Sequence, residues 1–350
     1  MPGDAMTISD LLSIELPLIQ APMAGVQGSA LALAVCRAGG LGSLPCAMLT
    51  PAQLTQELQA LRAGTERPFN LNFFCHQPPR ADDGAEAAWR SALAPYYAEY
   101  GIDPASIPAG PGRAPFSTEI ADLVEPFRPP VVSFHFGLPE PALLARVKRW
   151  GARVLSSATT VEEALWLEAH GADAIIAQGL EAGGHRGMFL SDDLSTQIGT
   201  FALLPRIVQA TRLPVIAAGG IADRHGVQAA RALGAAGVQV GSAYLLCPEA
   251  TTSALHRAAL KSPAAGHTAL TNLFTGRPAR GIVNRLMREQ GPLSPVAPPF
   301  PLATSALAPL RSAAEQAGRS DFSPLWCGQN ALGCREIGAE ALTRALMGCD

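Results

Sequence analysis

The chain has 350 residues, a formal net charge of −3, 48% hydrophobic residues and 16% charged residues. This balance is typical of a globular protein with a large core and excludes a disordered chain. The small net charge and the lack of Lys/Arg clusters argue against a nucleic-acid or anionic-membrane partner, so we expect a small-molecule ligand.

The seven cysteines are scattered and include no Cys-x-x-Cys pair, which favours reduced thiols over a disulfide framework or a zinc site. No apolar run reaches the roughly 18 residues that a membrane helix needs. Residues 1–20 lack the basic segment and long apolar run of a signal peptide. We therefore expect a cytoplasmic protein without a membrane partner, as a monomer or weak homodimer.

Eight short apolar runs alternate with alanine- and leucine-rich helical stretches. The predicted strands are 16–23, 40–44, 68–74, 131–136, 153–158, 174–179, 214–220 and 237–242. Predicted helices lie at 29–38, 51–63, 140–150, 160–170, 200–210 and 224–233. Most of the strands are continuously apolar, as expected for strands covered on both faces. The alternation predicts an α/β fold, a (β/α)8 TIM barrel, because the doubly wound alternative lacks its G-x-G-x-x-G fingerprint after the first strand.

Two regions interrupt this rhythm. Residues 76–130 are too long for a barrel loop and contain several prolines, including Pro108 and Pro111, so we interpret them as an excursion after strand three that covers the barrel mouth. A helix predicted at 89–100 carries Tyr96, Tyr97 and Tyr100. These tyrosines are most simply its packing face, and a phenol over the pocket is the alternative.

The second interruption, residues 263–320, mixes short helices with prolines and predicts a small helical cap after strand eight. The barrel domain would then comprise residues 1–262 and 321–350. A last predicted helix at 337–347 closes the barrel.

The residues just past each strand form the working face of such a barrel. Residues 178–187 follow strand six and hold four glycines, together with Glu181, His185 and Arg186. His185 is the one side chain nearby whose unperturbed pKa lies near neutral, and glycines let a backbone approach a ligand closely. An ordinary glycine-rich turn is the alternative. For Glu181 and Arg186 we expect only a structural role, in pairing with other residues.

Glycines also end strands seven and eight, at Gly219, Gly220 and Gly241. The loops after these two strands usually bind phosphate in a barrel, which predicts a phosphate-bearing ligand: a sugar phosphate, a nucleotide or FMN. Termination of the strands for steric reasons alone is the alternative. His135 lies on an apolar strand, where a histidine is more often a core residue than a catalyst.

At these residues the sequence resembles the class I nitronate monooxygenases, also known as 2-nitropropane dioxygenases. The similarity includes the motifs Phe134-His-Phe-Gly137 and Phe274-Thr-Gly-Arg-Pro278. It runs in order through nearly the whole chain, in blocks at 20–27, 41–48, 69–74, 133–137, 156–160, 178–187, 215–223, 237–249, 271–281 and 320–326.

The resemblance implies a TIM barrel with non-covalent FMN and a helical cap. It implies flavin contacts from Ala21, Pro22, Met23, Asn72, Gln178 and Gly183. It implies phosphate contacts from Gly219, Gly220, Gln239, Val240, Gly241 and Ser242. By the same resemblance, His185 would be the catalytic base and His135 a second active-site histidine.

The implied activity is oxidation of alkyl nitronates, such as propionate-3-nitronate, and also of nitroalkanes, by O2 to a carbonyl compound and nitrite, a detoxification reaction. A nitroalkane must first lose its α-proton, which an unprotonated imidazole accepts. The alternatives are an FMN-dependent NAD(P)H:quinone or enoyl-thioester reductase and a phosphate-ligand barrel without redox function. The chain departs from the family at Ser242, where threonine often stands, and has no tyrosine after Tyr244, which puts substrate size in question.

Overall fold

The computed structural model describes residues 7–79, 83–107 and 113–349. Its strands are β1 (Leu18–Gln20), β2 (Gly42–Pro45), β3 (Phe69–Phe74), β4 (Val131–His135), β5 (Arg153–Ala158), β6 (Ala174–Gln178), β7 (Gly184–His185), β8 (Val215–Ala218), β9 (Gly237–Val240), β10 (Thr268–Thr271) and β11 (Ala279–Ile282).

Eight of these strands form one parallel sheet in the order β1-β9-β8-β6-β5-β4-β3-β2. Its two ends meet at a parallel bridge between Ile19 and Leu41, where Gln20 N donates to Leu41 O at 2.9 Å. The predicted (β/α)8 barrel is therefore confirmed. The strands are shorter than predicted, since residues 21–23 and 219–220 lie in loops beyond the last paired residues.

The helices are α1 (Ile8–Leu12), α2 (Ser29–Ala38), α3 (Pro51–Gly64), α4 (Asp83–Glu99), α5 (Thr118–Val124), α6 (Pro141–Arg149), α7 (Val161–Ala169), α8 (Thr200–Ala210), α9 (Arg224–Ala232), α10 (Ala254–Leu260), α11 (Arg285–Glu289), α12 (Ala303–Gln316) and α13 (Ala339–Met347). Local sequence explains their starts. Thr50 caps α3 in a capping box with Gln53, and Pro51 occupies the first turn, where a proline costs no hydrogen bond. None of the helices in the described ranges is long and apolar enough to cross a bilayer.

A second, antiparallel sheet has the order β10-β11-β7. In it, Gly184 and His185 pair with Arg280 and Ala279 of β11. The sequence predicts a loop at residues 178–187 and does not indicate β7 within it, because two residues are too few to show an alternating pattern. The division into a barrel of 1–262 and 321–350 and a cap of 263–320 stays a prediction.

The helix predicted at 89–100 begins earlier, at Asp83, and packs on α12. Trp89 Nε1 donates to Ala303 O at 3.2 Å, and the Tyr97 hydroxyl donates to Ala306 O at 2.8 Å. Tyr96 and Tyr100 pack against Phe322, with ring centroids 5.2 and 5.8 Å away. The tyrosines thus form a packing face and do not line the cavity described below. Pro108 and Pro111 lie outside the described residues.

Candidate functional site

A cavity with about 1350 Å³ of empty space, part of it open to solvent, lies at the carboxyl ends of the barrel strands. The candidate site residues that line it are Ala21, Pro22, Met23, Asn72, His135, Gln178, Gly183, His185, Gly219, Gly220, Gln239, Gly241 and Ser242. Val240 does not line the cavity. Its side chain is buried in the core between sheet and helices, and its carbonyl accepts from Ala21 N at 2.8 Å.

The His185 imidazole is held by the hydroxyl of Thr275, 2.9 Å from Nε2. That hydroxyl also donates to Arg277 O at 3.4 Å. A hydroxyl has one proton, so Thr275 Oγ1 accepts from His185 Nε2–H while it donates to the carbonyl. This assigns the lone pair to Nδ1, because the hydrogen bond that the ring makes to the described residues is the one at Nε2.

His185 is neutral at pH 7 in this environment. Burial, and then the charges of Arg113, His135, Arg277 and His76, hold its pKa well below the usual value. Both effects disfavour an imidazolium ion. The half-buried imidazole is therefore unprotonated and can accept a proton, although the same effects make it a weaker base than a free histidine.

Aromatic rings surround His185. The ring centroids of Phe74, Phe300 and Trp326 lie 6.1, 5.4 and 5.7 Å from that of the imidazole. Of these, Phe74 and Trp326 line the cavity. These rings make one side of the wall around the histidine apolar, which limits the access of water from that side.

His135 uses both ring nitrogens within the protein. Its Nε2 lies 3.2 Å from His185 O, and its Nδ1 lies 3.1 Å from Ser157 Oγ. A carbonyl only accepts, so Nε2 donates and Nδ1 accepts from the Ser157 hydroxyl. Burial is the main cause that lowers the pKa of His135 to about 4. This geometry makes His135 a support for the His185 backbone, with no lone pair left for a substrate proton.

Gln178 clamps the same loop. Its Nε2 donates to His185 O at 3.0 Å, and its Oε1 accepts from Gly187 N at 2.7 Å. The carbonyl of His185 therefore receives two side-chain donors, one from β4 and one from β6. The position of the imidazole is fixed by the barrel below it.

The two charged neighbours of His185 in this loop are structural. Arg186 is fully buried and donates to Gly179 O at 2.6 Å and Gln178 O at 2.8 Å. Glu181 accepts from Thr200 N and Thr200 Oγ1, each at 2.8 Å, at the start of α8. Both side chains hold the ends of the loop in place.

Two adjacent glycines in the loop serve different purposes. A Cβ on Gly183 would lie 2.5 Å from Gly328 N, so residue 183 must be glycine for residues 327 and 328 to pack against it. Gly184 has φ +70°, which L side chains rarely adopt, and open space around its Cβ position. Close packing of the backbone therefore explains Gly183, and the positive φ explains Gly184.

The glycine-rich corner after β8 and β9 includes a third segment that the sequence did not indicate. Gly328 N donates to Ser242 Oγ at 2.9 Å, across 86 residues of sequence, and Asn330 Nδ2 donates to Gly220 O at 3.0 Å. Both residues line the cavity. In the same cavity, the buried Oε1 of Gln239 has no hydrogen-bond partner in the described ranges.

Sequence reasoning also missed Arg113, His256 and Trp326 in the cavity wall, and Thr275 beside His185. Arg113 and His256 carried no signal, because neither lies at the end of a strand. Thr275 and Trp326 fall in blocks that supported the family resemblance, but no role was assigned to them.

The fold and the cavity at the carboxyl ends of its strands define a (β/α)8-barrel enzyme. The chain belongs to the nitronate monooxygenase family, whose sequence model matches residues 5–347. Members of this family are flavin-dependent oxidoreductases.

Individual relatives agree with this membership. The chain is 43% identical over 346 residues to a nitronate monooxygenase of Pseudomonas aeruginosa, covering 96% of this chain and 97% of that one. It is also 43% identical over 342 residues to one of Paraburkholderia phytofirmans, covering 96% and 92%. Among solved structures, nitroalkane oxidase from Streptomyces ansochromogenes matches with a TM-score of 0.88 and 41% identity over 97% of this chain and 96% of that one.

Proposed function

We propose that this protein uses FMN and O2 to oxidise alkyl nitronates, such as propionate-3-nitronate, to a carbonyl compound and nitrite, and that it also accepts nitroalkanes. The observation that carries the proposal is the neutral, half-buried His185, with Nε2 held by Thr275 and Nδ1 without a partner among the described residues. Family membership supports the same chemistry.

The residues in the cavity fit FMN. The orphaned Oε1 of Gln239 offers a buried acceptor to a ligand donor, and a buried polar atom without a partner is costly unless a ligand satisfies it. The phosphate would be held at the corner formed by Gly219, Gly220, Gly241 and Ser242. Ala21, Pro22 and Met23 would lie beside the ring system, and Asn72, Gln178 and Gly183 near its polar edge. The bound flavin would supply the electron-accepting chemistry that side chains lack.

His185 would act on the substrate. Because its imidazole is neutral, it can take the α-proton of a nitroalkane at Nδ1, while Thr275 keeps the other nitrogen protonated. A preformed nitronate has already lost that proton and needs only to be bound. His135 and Gln178 would keep the histidine in place through its carbonyl.

Anaerobic stopped-flow mixing tests the proposal. The FMN-loaded protein is mixed with propionate-3-nitronate, nitroethane or NADPH, and the flavin absorbance is followed. We expect bleaching by the nitronate, slower bleaching by nitroethane, and nitrite release once O2 is admitted. Rapid bleaching by NADPH and none by the nitronate would instead indicate the alternative, an FMN-dependent NAD(P)H:quinone or enoyl-thioester reductase. A colourless protein that takes up no FMN would refute both.

The assembly state and cellular location also remain predictions. We expect a monomer or weak homodimer in the cytoplasm. Light scattering across a concentration series and cell fractionation check these two expectations.

A further inference from the structure

Arg113 places a guanidinium in the cavity wall without an anionic partner among the described residues. Within that part of the chain its buried Nη1 has no hydrogen-bond partner, and its Nη2 has one weak contact, with Met48 Sδ at 3.8 Å. Arginine stays protonated even when partly buried. A buried charge is costly unless an opposite charge or hydrogen bonds compensate it, so this guanidinium has unused capacity to bind an anion.

No carboxylate of the described side chains is among the groups that act on Arg113. Among the described residues that line the cavity, none is Asp or Glu. Burial, and then the like charge of Arg311, lower the pKa of Arg113. Arg277 differs, because Asp192 and Glu163 act on it and partly offset its charge. Within the described part of the chain, the positive charge of Arg113 in the cavity wall is therefore uncompensated.

This charge lies away from the glycine-rich corner. Arg113 O accepts from Nε2 of His76, which follows β3, and the guanidinium carbon lies 5.6 Å from the centroid of Phe300. In the closed ring of eight strands, β3 is four positions from β8, which leads into Gly219. An anion at Arg113 would thus be a second anion, separate from a phosphate at the corner. Arg113 is also the strongest of the charges that act on His185.

We propose that Arg113 is a specificity-determining residue, which binds the negatively charged oxygens of the substrate and makes the site prefer anionic nitronates to neutral nitroalkanes. The inference rests on the proposed function. Two oxyanions share this chemistry: the nitronate group itself and a carboxylate elsewhere on the substrate. Both would form charge-assisted hydrogen bonds with the guanidinium.

Steady-state kinetics of Arg113→Gln and Arg113→Lys test the assignment with propyl-1-nitronate, propionate-3-nitronate and neutral nitropropane. We expect Arg113→Gln to raise KM roughly 10- to 100-fold for an anionic substrate, the range for a lost hydrogen bond to a charged group. KM for nitropropane should change less than about twofold on the same reasoning. Arg113→Lys should restore part of the loss. A rise with both nitronates identifies the nitronate group as the anion, and a rise with propionate-3-nitronate alone identifies the carboxylate.

Arg311→Gln is the matched control. It removes a like charge near Arg113 from an exposed side chain that pairs with Glu315 and does not line the cavity. The proposal is overturned if Arg113→Gln behaves like Arg311→Gln with every nitronate, or if it weakens neutral and anionic substrates equally.

Binding without turnover separates this inference from the proposed function. Nitrate and succinate, a planar oxyanion and a dicarboxylate, are titrated by calorimetry into the FMN-loaded parent and variants. We expect Arg113→Gln, but not Arg311→Gln, to weaken at least one of them tenfold or more. If that holds while no nitronate bleaches the flavin, only the proposed reaction fails. If neither anion binds the parent, or both bind the variant equally well, the assignment of Arg113 is wrong.

Discussion

The hydrogen bond between Thr275 and His185 predicts a selective effect of Thr275→Val. Valine keeps the shape of the side chain but removes the oxygen that lies 2.9 Å from Nε2. The Nε2–H then loses its partner, which costs about 1–3 kcal/mol and favours transfer of the ring proton to Nδ1, the nitrogen that would act as base. Since about 1.4 kcal/mol is a factor of ten in rate, kcat/KM with nitroethane should fall roughly 5- to 140-fold.

The same variant should lose less than about threefold with ethylnitronate, because that substrate needs no proton removed. Oxygen uptake with the two substrates gives this comparison, and Thr275→Ser, which keeps the hydroxyl, should stay near the parent. The ¹⁵N shifts of His185 report the tautomer independently of turnover. Equal losses with both substrates, or a valine variant with the parental tautomer and rates, would refute the reasoning.

Three further outcomes are expected. His185→Asn should retain FMN, measured by absorbance, but lose turnover, most severely with nitroethane; parental activity would end its assignment as base. His135→Asn should reduce turnover less than His185→Asn does, and the kinetics should still show one catalytic base. Burial is the main cause that lowers the pKa of His256 to about 4, so its contribution to stability is lost as pH falls from about 6.5 to about 4. Denaturant unfolding of His256→Gln should therefore show a shallower decline across that window, by up to about 3 kcal/mol.

The barrel was predictable because each of its parallel strands is a separate apolar run with a helix after it. The ends of the strands were less predictable, since the apolar sequence continues past the last residue that is paired with a neighbouring strand, as at residues 21–23. Val240 shows a different limit. Neighbouring residues on a strand point to opposite faces, so Gln239 and Val240 do not both present side chains to the cavity.

The rest of the site depends on contacts between distant segments. Gly328 and Asn330 lie far along the chain from the corner that they complete, and neither has a local pattern that indicates it. Arg113 follows a proline-rich stretch, and an arginine in such a stretch is most simply interpreted as a charged surface residue. The role of Thr275 is visible only in the structure, where β7 places His185 within hydrogen-bond distance of it. Such residues are identified by packing, which a single sequence does not contain.

The strand β7 makes the proposed catalytic base a shared part of two regions of the chain. Its backbone pairs with β11, its carbonyl is held from β4 and β6, and its ring is held by Thr275. Grafting the 263–320 segment from a relative would therefore move the histidine as well as the pocket lining. If residues 263–320 were deleted, β7 would lose its partner strand β11, and His185 would lie on an unpaired strand. To change the substrate range by exchanging residues 263–320, residues 183–187 should therefore be exchanged together with them.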